Sequence, residues 1–150
     1  MFYCLRFLLM WAIWWYFSDK RRWRELLVVG LFAGFLGSAS DSITDHFHFW
    51  AYQKSHPLVC RLLDDIGIYV VVSSLFIQWL PRKRSLGRMI LYWLVWTLTT
   101  VCIEWVHLSL GYMNHGNGWN LGWSFLCDWF LFWLIYKFHQ LFRLSRLNGT

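Results

Sequence analysis

Met89–Met113 reads MILYWLVWTLTTVCIEWVHLSLGYM, a run long enough to cross a bilayer that nevertheless carries Thr97, Thr100, Glu104 and His107. At helical spacings of three and four these side chains form one polar stripe on an apolar rod. A carboxylate at the centre of a bilayer costs roughly 2.5–3.5 kcal/mol on insertion scales, so it is expected to face a bundle interior or a wet cavity. The rest of the chain is therefore read by what it brings to Glu104 and His107.

The 150 residues are 58% hydrophobic and 22% aromatic, with only 15% charged. A soluble domain carries about 25% charge, and this balance predicts a single integral membrane domain instead. The net charge of +6 sits in short clusters beside apolar runs, the pattern of topology signals and anionic-lipid contacts, which argues against DNA or RNA as a partner. The four cysteines, Cys4, Cys60, Cys102 and Cys127, contain no CxxC pair. A Cys4–Cys60 disulfide is left open, and Cys102 and Cys127 read as small packing residues.

Outward from the central stretch, the apolar pattern predicts an all-α bundle of five transmembrane helices over 1–17, 26–44, 62–80, 89–113 and 121–142. The first has no basic leader or small-residue cleavage site, so it is expected to be retained. Lys20, Arg21, Arg22 and Arg24 follow it, Arg82, Lys83, Arg84 and Arg88 precede the fourth span, and Lys137, Arg143 and Arg146 close the fifth. Under the positive-inside rule these clusters place the amino terminus outside and the carboxyl terminus in the cytoplasm of a multi-pass cell-membrane protein. Arg6, Lys54 and Arg61 then fall outside. The second span carries a GxxxG at Gly30–Gly34, which permits close helix approach. The connection Phe47–Arg61 is expected to lie at the interface as a short surface helix or a re-entrant loop, and Asn114–Asn120 as a polar turn.

Helical rise sets the depth of the acids. Glu104 lies roughly 22 Å outward of Met89, Asp41 the same distance outward of Leu26, and Asp128 roughly 10 Å below the outer face, in a core of roughly 30 Å. Three helices thus bring carboxylates to one level, with Asp45, Asp65, Asp64 and His107 shallower, and the inner halves nearly free of acids. Asp41, Asp45, Asp65, Glu104, His107 and Asp128 are the candidate catalytic residues of a pocket in the outer half. Tyr69, Trp105, Tyr112, Trp119, Trp123 and Ser124 are the candidate substrate-binding residues on its aromatic wall.

Three chemistries fit such a pocket. Glu104 and His107 form an ExxH pair, the spacing used by di-iron bundles, and His46 and His48 form an HxH, so a divalent metal is one open cofactor. Carboxylates crowded in a low dielectric support acid–base catalysis, which with aromatic walls suits a lipid or an isoprenoid. Acids along membrane helices also build proton or cation paths, although here they stop halfway. The leading expectation is a membrane-embedded enzyme, an isoprenoid or lipid cyclase, isomerase or hydrolase, with Glu104 or Asp128 as proton donor. A transporter and a non-enzymatic assembly partner are the alternatives. Membrane lipids and a second copy of the chain are the expected partners.

The tail from Ile103, IEWVHLSLGYMNHGNGWNLGWSFLCDWF, resembles the end of a family of small, aromatic-rich, multi-span membrane proteins of unknown function from spore-forming Gram-positive bacteria. In that family a Glu in the penultimate span precedes a Tyr-x-x-x-Trp-like turn and a final aromatic span ending in basic residues. Glu104, Tyr112, Trp119 and Trp123 occupy the matching positions. The resemblance implies a membrane protein in which Glu104 is prominent.

Overall fold

The computed structural model describes residues 2–52, 59, 62–63, 65–142 and 144–148. Asp64, Cys60, Arg61, Lys54 and Arg143, and with them the Cys4–Cys60 pairing, lie outside the described residues. Five α-helices dominate the described chain: α1 (Phe2–Phe17), α2 (Trp23–His46), α3 (Val70–Gln78), α4 (Leu86–Ser109) and α5 (Leu121–Leu141). The all-α expectation is met apart from one small addition, a two-stranded ribbon of β1 (Trp50–Tyr52) and β2 (Met113–His115). The helices alternate in direction. Arg6 near the start of α1 meets His107 near the end of α4, while the end of α1 meets the end of α3 through Gln78 Nε2 and the Phe17 carbonyl, 2.8 Å apart.

Helices α2 and α3 form the closest pair, and small residues are the reason. A Cβ added at Gly30 would lie 2.7 Å from Val70 Cγ1, and one at Gly37 would lie 2.7 Å from the Tyr69 ring. With the backbones this close, the Ser74 hydroxyl donates across the interface to the Leu26 carbonyl at 2.9 Å. The core around the pair is aromatic: Phe76 packs on Tyr92, Trp96 and Phe132, and the Tyr92 hydroxyl donates to the Phe76 carbonyl at 2.6 Å.

Two helices, Lys20–His46 and Leu86–Ser109, are long and apolar enough to cross a membrane. Cys4–Phe17 and Asp65–Gln78 are apolar but shorter. Within the predicted third span, residues 62–63 are helical and the continuous described part runs from a π-turn, Asp65–Tyr69, to Gln78. At 1.5 Å per residue this part covers about 20 Å. The fourth helix is displaced from its predicted bounds. It begins at Leu86, and Gly111, with φ of +73°, ends it in the left-handed conformation that glycine adopts at low cost, so that Met113 already belongs to a strand.

Polar side chains lie inside and large apolar ones outside. Glu25, Asp41, Asp65, Ser73, Ser74, Thr97, Ser124 and His139 are buried, whereas Leu31 and Phe35 on α2, Leu91, Val95 and Leu98 on α4, and Leu126 and Phe130 on α5 are exposed in stripes of helical spacing.

Candidate functional site

Between α2, α3, α4 and α5, under the ribbon, lies a cavity of about 410 Å³. Its side walls are mostly apolar, from Ala33 and Leu36 of α2, Ile68 and Val72 next to and on α3, and Phe132 and Ile135 of α5. Phe49 and Trp50 before and on β1, Met113 on β2, and Trp119 form its roof. Residues 47–52 of the 47–61 connection form a turn and a strand over the cavity, residue 59 is helical, and the rest of the connection expected as a surface helix or re-entrant loop lies outside the described residues. The cap is knitted by the backbone: Gly116 N–H donates to the Phe49 carbonyl at 2.7 Å, and the Asn117 amide to the Phe47 carbonyl at 2.7 Å. Position 116 must be glycine for this, since a Cβ there would sit 2.6 Å from the His48 carbonyl oxygen.

Glu104 on α4 is the centre of the polar wall. Its Oε1 accepts from His115 Nε2 at 2.7 Å and from the Ser124 hydroxyl at 2.7 Å. The Ser124 oxygen in turn accepts from the Trp119 indole N–H at 2.8 Å. Ser124 is placed by the start of α5, where the Asn120 side chain accepts from the Gly122 and Trp123 amides and fixes the first turn. Asp128, one turn further along α5, lines the cavity within electrostatic reach of Glu104. The carboxylate sits between the serine and the histidine, so this is not a nucleophile triad, in which the histidine must stand between serine and acid.

Six of the sequence-predicted residues meet at this cavity: Glu104, Asp128, His107, Tyr69, Trp119 and Ser124. The others are elsewhere. Trp105 and Trp123 are 57% and 54% exposed, because each neighbours a cavity residue in sequence and so projects about 100° away around its helix. Asp45, His46 and His48 are exposed at the end of α2, and Tyr112 sits half-buried in the turn before β2, outside the cavity lining. Asp41 is buried off the cavity, one residue round from Ser40, and Asp65 is buried where its Oδ2 accepts from Ser38 at 2.6 Å. The pocket thus holds two carboxylates, Glu104 and Asp128, where the depth argument gathered Asp41, Asp45 and Asp65 as well.

The candidate metal ligands are not gathered at one point among the described residues. Glu104 and His107 both reach the cavity but face different partners. His107 Nε2 is hydrogen-bonded to the Arg6 guanidinium, and since a guanidinium only donates, the lone pair a metal would use there is engaged. Among the described residues no three His, Cys, Asp or Glu side chains are grouped to hold a metal ion.

The sequence reading missed His115 and the inner acid. His115, which falls in the stretch read as a polar turn, returns over the cavity on β2, a strand too short for its alternation to be recognised. Glu25, next to the basic cluster of Lys20, Arg21, Arg22 and Arg24, is fully buried at the far end of the bundle, chelated by Arg22 at 2.8 and 2.9 Å and bonded to His139 Nε2 at 2.6 Å. Its nearness to Arg22 and Arg24 disguised it as a loop residue. Cys102 on α4 and Cys127 on α5 are both exposed rather than packed. Comparison with known protein families, curated proteins and solved structures finds no match to this chain.

Proposed function

We propose that the chain is a five-span membrane protein whose capped cavity takes the apolar body of a lipid or isoprenoid and rearranges it by proton transfer between carboxyl groups. One observation carries this reading: two carboxylates from neighbouring helices, Glu104 and Asp128, lie on the wall of one capped, mostly apolar cavity. The exposed apolar stripes support the membrane topology, since a surface of Leu, Val and Phe suits acyl chains.

Glu104 has Oε1 occupied by two donors, and among the described residues no protein hydrogen bond is made to Oε2. That oxygen is the one offered to a substrate. In a double-bond shift, Asp128 protonates one alkene carbon, Glu104 removes a proton from the carbon on the far side of the resulting cationic centre, and that proton then returns from Glu104 to Asp128, so no other reactant is consumed. Trp50, Trp119, Phe132 and Tyr69 supply ring faces that attract developing positive charge on carbon. Lipids are the partners this reading requires.

Transport is less well supported. Below the cavity Phe76, Trp96 and Phe132 pack together, Phe76 and Phe132 with ring centres 4.7 Å apart, and a proton or cation would have to pass this layer. The test uses the protein in liposomes of native lipid extract, with products followed by mass spectrometry. Turnover that falls by at least about a hundredfold in both Glu104→Gln and Asp128→Asn supports the acid–base roles. Turnover unchanged in both removes them, and pH-driven flux without any new lipid product moves the assignment to transport.

A further inference from the structure

At the opposite end of the bundle the ends of α3 and α5, the start of α2 and the loop between α3 and α4 enclose a second, open cleft of about 590 Å³. Four arginines line it: Arg22, Arg82, Arg84 and Arg146. One of them is committed. Arg22 chelates Glu25 through two nitrogens, and its third donates to the Gln78 carbonyl at 3.2 Å, at the end of α3. Arg22 and His139 both engage Glu25, the carboxylate among the described lining residues, and Arg22 also serves the carbonyl at the helix end.

Arg82, Arg84 and Arg146 remain. Among the described residues none of them has a carboxylate partner, and Arg84 rests only against the Tyr136 ring, 6.0 Å from its centre. Beside them His139, 6% exposed, bonds Glu25 through one ring nitrogen and has no hydrogen-bond partner on Nδ1. Topology signals alone do not require this convergence. Arg21, Arg24, Lys83 and Arg88 serve the same positive-inside function without lining the cleft.

We infer that this cleft binds a phosphate group, in the doubly charged form of a phosphomonoester or of free phosphate, with Arg84 and Arg146 as its principal ligands. Guanidinium groups present planar forks of donors that match phosphate oxygens, and three converging from two separate segments specify a group of higher charge than a phosphodiester. A phosphomonoester lipid headgroup and inorganic phosphate share this chemistry. The inference is independent of the Glu104 cavity and survives the loss of that reading.

The purified chain is reconstituted in nanodiscs containing phosphatidylcholine with either phosphatidic acid or phosphatidylglycerol, and bound lipid is counted by native mass spectrometry. In parallel, inorganic phosphate is titrated calorimetrically against the chain in neutral detergent. Each experiment is repeated on the double variant Arg84→Gln, Arg146→Gln and on the charge control Arg88→Gln. Preferential retention of phosphatidic acid that drops about tenfold or more in the double variant, but not in Arg88→Gln, establishes the headgroup source. Saturable phosphate binding with the same variant pattern establishes the soluble source. Equal retention of both anionic lipids, equal losses in the double variant and the control, or no binding in either format overturns the proposal.

Discussion

Glu104 shows how a single side chain is specified by residues distant in sequence. Its Oε1 takes donors from His115 on the ribbon and Ser124 on α5, and Ser124 also receives Trp119. Ser124→Ala leaves both Glu104 and the Trp119 indole short of a partner, so stability should fall by about 1–3 kcal/mol. Reversible unfolding in mixed detergent measures this, and a change within error would mean that water replaces the hydroxyl. Glu25 is a stronger case. Glu25→Leu would strand the Arg22 guanidinium and the buried His139, and removal of one member of a buried ion pair costs about 3–5 kcal/mol. Expression of a normally stable Glu25→Leu protein would show that Arg22 simply turns to solvent.

The helices differ in how far their packing constrains them. Gly30 faces Val70 with no room for a methyl group, so Gly30→Ala should destabilise the bundle by about 1–3 kcal/mol through overpacking. Gly87, in the first turn of α4, has nothing within 4 Å of an added Cβ. There Gly87→Ala should stabilise by about 0.4–1 kcal/mol, because alanine loses less backbone freedom on folding. The two variants side by side in one unfolding assay separate packing from propensity, and equal effects would contradict the close α2–α3 contact. The ribbon is the element whose effect reaches furthest. It ties the ends of α2 and α4 and lowers Trp50, Met113 and Trp119 onto the cavity.

For the whole molecule the central issue is sidedness. The basic loops lie at the end of the bundle with the arginine cleft, and the capped cavity at the other. In sealed vesicles of one orientation, single cysteines at Asn114 and Arg84, in a background with the native cysteines changed to serine, should react with a membrane-impermeant maleimide from opposite sides. Reaction of both from the same side would overturn the proposed crossing of α4 and, with it, the proposed lipid-facing role of the exposed stripes.

Much of this was legible in the chain itself. Composition and apolar run length gave the helical class, and the bounds of α5 were predicted to within a residue, because length and hydrophobicity are local properties. Of the stripe Thr97, Thr100, Glu104 and His107, the last three line one cavity, while Thr97 is buried away from it. The depth of Asp41, Asp45 and Asp65 was a poor guide to their neighbours, since helical rise gives height but not the rotation of one helix against another. That rotation is set by packing: Gly30 and Gly37 let α3 approach α2 along one face, which carries Ser40 and Thr44 to the cavity and turns Asp41 away from it. The pairing of β1 with β2, and with it the placing of His115 on Glu104, joins segments more than sixty residues apart and has no local signal. The sequence by itself determined that the chain forms apolar helices with acids buried among them. Only the tertiary structure decided which acids meet, because contact depends on helix rotation and on long-range strand pairing that no single stretch of chain encodes.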